Sequence, residues 1–153
     1  MAGDVDDRKS TTGMVFYLGP NPISWNSQKQ KVVARSSCEA EYIAAGTAAC
    51  QAVWLRRLLA NLTKRKEQKV LLKIDNQAAI SLCKNPVHHE RNKHIDVQLH
   101  YIRECIEEGM IEVQHANTKD QLADILTKSL GRQKFLEMRE RIGVQAVTRG
   151  SRV

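Results

Sequence analysis

No run of apolar residues in this chain approaches the roughly 18 that a membrane span needs. The opening stretch, Met1-Ala2-Gly3-Asp4-Val5-Asp6-Asp7, is acidic and does not read as a signal peptide. The four cysteines, Cys38, Cys50, Cys83 and Cys105, include no CxxC pair, so neither a zinc knuckle nor a disulfide frame is written in them. Three of them lie within apolar-periodic segments and read as reduced, core-type cysteines of an intracellular protein, in cytoplasm or nucleus. Internal repeats, low-complexity tracts and dividing linkers are also missing, so the 153 residues suit one domain with one core.

Hydrophobic residues make up 42% of the chain, which excludes a disordered protein. Lys and Arg number 24 against 17 Asp and Glu, giving a formal charge of +7. That balance suits a polyanionic partner, nucleic acid first, or simply a soluble basic domain.

Patterning predicts interspersed strands and helices, hence an α/β sheet with helices packed on it. Residues 14–18 read as a strand, Gly19-Pro20 as a turn and residues 23–27 as a second strand of a hairpin. Val32-Val33-Ala34 extends that strand or leads to the next helix. Ser36 and Glu39 form an S-x-x-E capping box, so a helix is expected over 36–61, with Ile43, Ala44, Ala48, Leu55, Leu58, Leu59 and Leu62 as its apolar stripe. Val70-Leu71-Leu72-Lys73-Ile74 has the near-continuous apolar character of an interior strand buried on both faces. A short helix to Lys84, stopped by Asn85-Pro86, follows. Helices over 95–108, 118–130 and 133–142, and a strand over 110–115, complete the order. The domain is read as residues 1–142, with 143–153 as a frayed tail.

Three carboxylates stand at the ends of elements. Glu41 lies early in the long helix above Ala44 and Ala45, which leave room for an ion or a substrate. Asp75 follows the apolar strand at its carboxyl end, where open α/β sheets bind ligands. Asp124 lies in the region expected to be the 118–130 helix. Hard cations such as Mg²⁺ take oxygen ligands, and phosphoryl chemistry often uses two of them. Each also has a plainer role: Glu41 as a solvated helix residue, Asp75 as an N-cap, and Asp124 as an i,i+4 partner of Lys128.

Five motifs in order resemble the ribonuclease H domain of copia-type LTR retrotransposon Pol polyproteins: Asp7-Arg8-Lys9-Ser10-Thr11-Thr12-Gly13, Ser36-Ser37-Cys38-Glu39-Ala40-Glu41-Tyr42-Ile43-Ala44, Asp75-Asn76-Gln77-Ala78-Ala79-Ile80, His94-Ile95-Asp96, and Thr118-Lys119-Asp120-Gln121-Leu122-Ala123-Asp124-Ile125-Leu126-Thr127-Lys128. Together they cover about residues 2–142. The resemblance implies a ribonuclease H-like mixed five-stranded sheet with flanking helices. It implies metal-dependent endonucleolytic cleavage of the RNA strand of RNA–DNA hybrids during reverse transcription, with Mg²⁺, or Mn²⁺, as cofactor. Glu41, Asp75 and Asp124 then match catalytic, metal-holding carboxylates, and His115 stands near the place of a mobile catalytic histidine, or is a strand-end surface histidine. Expected partners are the hybrid or another nucleic acid and the reverse transcriptase domain of the same polyprotein, with no membrane.

The family carries an Asp-x-Asp-Trp segment just before Ala-Gly-Asp, and here Met1 stands in the tryptophan's place. The resemblance therefore implies that the first, central strand and its catalytic aspartate lie upstream of residue 1. The chain alone is expected to be weak or inactive, with substitution by Asp4, Asp6 or Asp7 as the alternative. The sheet is expected to close the gap, fold poorly, or borrow a strand in a strand-exchanged homodimer. A non-catalytic nucleic-acid-binding or protein-interaction remnant is the other class of function. His88, His89, His94 and His100, with Cys83, lack the spacing of structural zinc modules. Arg56, Arg57, Lys64, Arg65, Lys66 and Lys69 form a basic cluster suited to phosphates or to plain solvation.

Overall fold

A computed structural model describes residues 8–84 and 93–145, without the side chains of 93–99. Asp4, Asp6, Asp7, His88, His89, the side chains of His94 and Asp96, and residues 146–153 of the expected tail lie outside the described residues.

Strands β1 (Thr11–Leu18) and β2 (Asn21–Lys29) form the expected antiparallel hairpin. Gly19, at φ +60°, supplies the left-handed turn conformation that a side chain would resist. Thr12, Met14 and Phe16 alternate inward, while β2 is largely exposed. Val32-Val33-Ala34 extends neither strand and runs as loop toward the next helix.

Helix α1 (Ser37–Thr63) begins where the capping box places it: Glu39 N donates to Ser36 Oγ at 3.1 Å. Its buried face is made of small residues, among them Ala45, Gly46, Ala49 and Ala52, so α1 sits close to its neighbours. The expected leucine stripe is corrected at its far end. Leu58 and Leu62 are exposed, because the last turns of α1 run past the core. Buried Gln30 ties this helix to the hairpin: its Nε2 donates to Thr12 Oγ1 at 3.1 Å and to the Ala40 carbonyl at 2.9 Å.

Strand β3 (Val70–Ile74), helices α2 (Gln77–Lys84) and α3 (Lys93–Glu107), and strand β4 (Ile111–His115) follow. β3 and β4 pair in parallel, with Ile74 opposite His115. Ile102 and Cys105 of α3 and Cys83 of α2 are completely buried in the core around α1. Burial pushes the Cys83 thiol up to about 12, as suits an inert core cysteine.

Two expectations are overturned. The first is the interior place of residues 70–74: the fold is mixed α/β as expected, but the described strands form two pairs, β1–β2 and β3–β4. β3 is therefore bonded on one side only, and Leu71, expected inside, is 44% exposed. The helix over 118–130 is also absent. Its place is taken by two 3₁₀ segments, Thr118–Asp120 and Leu122–Leu126, separated by Gln121 in extended conformation at ψ 95°. Tertiary bonds explain the break. Gln121 Nε2 donates to the Lys73 carbonyl at 3.1 Å, and Arg141 bonds Asp120 Oδ1 at 3.1 Å. These contacts hold the segment against β3 and against helix α4 (Arg132–Ile142), at the expense of a regular ladder.

Candidate carboxylate site

Three elements deliver the three carboxylates. Glu41 stands in the second turn of α1, half-buried. Asp75 follows the last residue of β3. It is not the cap of α2, because Asn76 Oδ1 takes that role, accepting from Ala79 N at 3.0 Å. Asp124 sits in the second 3₁₀ segment with its side chain 15% exposed.

Gly13 sets the height of that segment over β1. A Cβ there would stand 2.6 Å from Thr127 Cγ2 and 2.7 Å from the Ala123 carbonyl oxygen. Only glycine lets the Asp124 segment settle onto the strand. Ser27 Oγ adds a 2.6 Å bond to the Leu126 carbonyl.

The charges act on one another. The Glu41 carboxyl is pushed up to about 6, first by burial and then by the negative charges of Asp75 and Asp124, against the opposing pull of Lys128. Lys128 Nζ lies 2.7 Å from Asp124 Oδ2. Glu41 is thus not a solvated helix residue, and Asp124 holds both of the places considered for it: partner of Lys128 and neighbour of Glu41.

Three carboxylates are the donor chemistry that a hard divalent cation takes. Their arrangement does not complete that fit. Among the described residues no group of three or more His, Cys, Asp or Glu side chains is placed to hold a metal ion. The Lys128 ammonium already neutralises Asp124.

His115 ends β4 in register with Ile74, the residue before Asp75. Its side chain is exposed and borders an open hollow of about 400 Å³ with Lys69, Gln77, Lys84 and Glu112. Of the basic cluster, Arg56 is committed to structure: it pairs with Glu67 at 2.6 Å and donates to the Gln68 carbonyl at 2.9 Å. Arg57, Lys64, Arg65, Lys66 and Lys69 are exposed. Gln30, which ties the hairpin to α1, escaped sequence reasoning, since a polar residue in a connecting segment carries no signal of burial; Gln121, spaced from Thr118 as a T-x-x-Q capping box would be, instead donates its side-chain amide to the Lys73 carbonyl. No described helix is long and apolar enough to cross a membrane.

Fold and charges define a mixed α/β domain in which three carboxylates from distant parts of the chain stand within electrostatic reach of one another. The chain is 46% identical over 146 residues to the retrovirus-related Pol polyprotein from transposon RE1 of Arabidopsis thaliana, matching 95% of this chain and 10% of that protein. It is 46% identical over 143 residues to the corresponding RE2 protein of the same plant, with 94% and 10% covered. It is 43% identical over 146 residues to that of transposon TNT 1-94 of Nicotiana tabacum, with 95% and 11% covered. This chain is therefore homologous to one segment of retrovirus-related Pol polyproteins, and spans about a tenth of their length. No protein-family model matches it, and no solved structure matches it.

Proposed function

We propose that this chain is a ribonuclease H-type domain of a retrotransposon Pol polyprotein, acting on the RNA strand of RNA–DNA hybrids beside the polyprotein's reverse transcriptase. One observation carries the reading: Asp75 and Asp124, from elements far apart in sequence, both act on the half-buried Glu41. Similarity to Pol polyproteins over 95% of the chain supports it.

In this reading Mg²⁺ or Mn²⁺, when bound, would supply the charge stabilisation that phosphodiester cleavage needs, and the three carboxylates offer the oxygen donors such an ion takes, although as described they are not grouped to hold it. The protein's own part is to bury Glu41, to present Asp75 free of capping duty, and to hold Asp124 over β1. The exposed cations from Arg57 to Lys69 hold phosphates without reading sequence. His115, exposed at the end of β4 opposite Ile74, is in this reading the candidate for the family's mobile histidine.

A second reading, a nucleic-acid-binding domain without catalysis, is favoured by one observation: the Lys128 ammonium occupies Asp124. The test is a hybrid-cleavage assay with Mg²⁺ or Mn²⁺, run beside a binding titration. It uses this chain and a version extended with the preceding polyprotein residues. The nuclease reading expects faster cleavage by the extended version and its loss in Asp75→Asn. No cleavage by the extended version, or full cleavage by Asp75→Asn, would overturn it and leave the binding reading if the hybrid still binds.

A further inference from the structure

Helix α1 is longer than its contact with the core. Its buried residues end at Val53, and from Trp54 to Thr63 no side chain is buried. These last turns add about 15 Å of helix at 1.5 Å per residue. The overhang is held in place all the same. Arg56 pairs with Glu67 at 2.6 Å and donates to the Gln68 carbonyl at 2.9 Å. Lys64 closes the helix in the left-handed conformation, at φ 55°, where glycine is the usual residue and a side chain is disfavoured. The core gains nothing from this end, so its outer face is what it presents.

That face has a definite composition. At 3.6 residues per turn, Trp54, Arg57, Asn61 and Lys64 fall within one stripe about 80° wide. All four are exposed, Trp54 at 56%. Arg56 lies on the opposite side of the helix, so the brace stands behind the stripe. From Tyr42 to Lys66 the sequence carries no Asp or Glu. Just past the helix, Arg65, Lys66 and Lys69 add exposed positive charge.

An indole in line with a guanidinium, an amide and an ammonium group suits one kind of ligand. The indole offers a flat surface on which any base stacks, and the cations hold phosphates whatever the base. Paired bases in a duplex turn their faces to one another, so only an unpaired base lies flat on Trp54. An apolar groove on a protein would seat Trp54, Leu58 and Leu62 instead. Those leucines lie to one side of the stripe, and such a groove gives Arg57 and Lys64, on the other side, no counter-charge. The charge of this face complements a polyanion.

We infer that the outer stripe of α1 from Trp54 to Lys64 is a binding site for single-stranded nucleic acid, RNA or DNA, with an unpaired base stacked on Trp54 and phosphates held by Arg57, Lys64 and the basic loop that follows. It is separate from the carboxylates: Trp54 stands about 20 Å along α1 from Glu41 and about 140° around the helix from it. The inference goes beyond the proposed nuclease activity and shares with it only the nucleic-acid partner. Phosphate contacts hold single and double strands alike, whereas stacking selects the single strand.

The test uses the full chain. Trp25→Phe removes the other of the two tryptophans, itself 66% exposed, and leaves Trp54 as the sole reporter. Oligothymidylate and oligouridylate should each quench the Trp54 emission to saturation at low salt. In the parent background, anisotropy of labelled strands is followed for Trp54→Ala. This variant should bind the single strand roughly five- to 150-fold more weakly, the range of one lost base stack, and should bind duplex DNA as the parent does. Arg57→Ala should weaken both and lower the salt slope by about one unit if it loses one phosphate. Because Trp54 is exposed, the melting temperature of Trp54→Ala should match that of the parent, which separates lost stacking from a damaged helix. An unquenched Trp54 emission would overturn the proposal and leave the face to a protein partner. So would an unchanged single-strand affinity in Trp54→Ala, or an equal loss for single strand and duplex. None of these readouts involves cleavage, so failure of the nuclease reading leaves the result intact.

Discussion

The Lys128 ammonium stands 2.7 Å from the Asp124 carboxylate and also pulls the pKa of Glu41 down against the effects that raise it, so one lysine offsets the charge of two acids. Lys128 itself is half-exposed, and an exposed pair of this kind is worth at most about 1 kcal/mol to the fold. Lys128→Met should therefore leave stability nearly unchanged. It should raise the Glu41 value above about 6, read by carbon NMR titration of the side-chain carboxyl. An unchanged Glu41 titration would mean that Lys128 does not act on this group.

Glu41 makes the fold sensitive to pH in an unusual direction. Its folded value, about 6, lies above the ordinary 4.5. The folded state then binds the proton more tightly than the unfolded one, so stability is highest below about 4.5 and declines as pH rises to about 6. A displacement of this size corresponds to roughly 2 kcal/mol. Glu41→Gln should remove that decline, making the variant more stable than the parent at pH 7 and no more stable at pH 4. Urea denaturation of both proteins at the two pH values decides it, and parallel pH profiles would contradict the assignment.

Gly13→Ala should be costly despite its small size. The added methyl meets Thr127 Cγ2 and the Ala123 carbonyl oxygen at distances that no packed structure tolerates. Overpacking of this kind costs about 1–3 kcal/mol. The segment that yields carries Asp124, so the Glu41 titration should shift toward its ordinary value as Asp124 moves off. A variant as stable as the parent in thermal melts would show that the segment is not seated on β1.

Within the basic cluster the structure separates two roles. Replacing Lys64, Arg65 and Lys66 by alanine should weaken binding to RNA–DNA hybrid and to duplex DNA alike. The salt dependence of binding should flatten by about one unit for each phosphate that is no longer neutralised. Arg56→Ala should act differently, because Arg56 ties the end of α1 to Glu67 and Gln68. It should lower the melting temperature and leave the salt dependence as it was. Equal salt slopes for all variants would place the nucleic-acid surface elsewhere.

Local physics made much of the secondary structure legible. Ser36 and Glu39 mark the start of α1 because a capping box is satisfied by residues within one turn. Gly19-Pro20 marks the hairpin because turn residues act through their own backbone angles. The strand character of 70–74 was legible for the same reason, since apolar, β-prone residues state their preference locally. The resemblance singled out Glu41, Asp75 and Asp124 one at a time.

Tertiary structure alone decided the rest. The stretch 118–130 carries helical patterning, yet it folds as two 3₁₀ segments whose Gln121 and Asp120 side chains bond Lys73 and Arg141. Whether β3 is interior or edge depends on which strands lie beside it, and a sequence of five residues cannot state its neighbours. The mutual action of Glu41, Asp75 and Asp124 likewise exists only once α1, β3 and the segment over Gly13 are packed together. Residue type and local periodicity determine what each segment prefers. Burial and electrostatic coupling, which depend on distances between residues remote in sequence, determine what those segments become together.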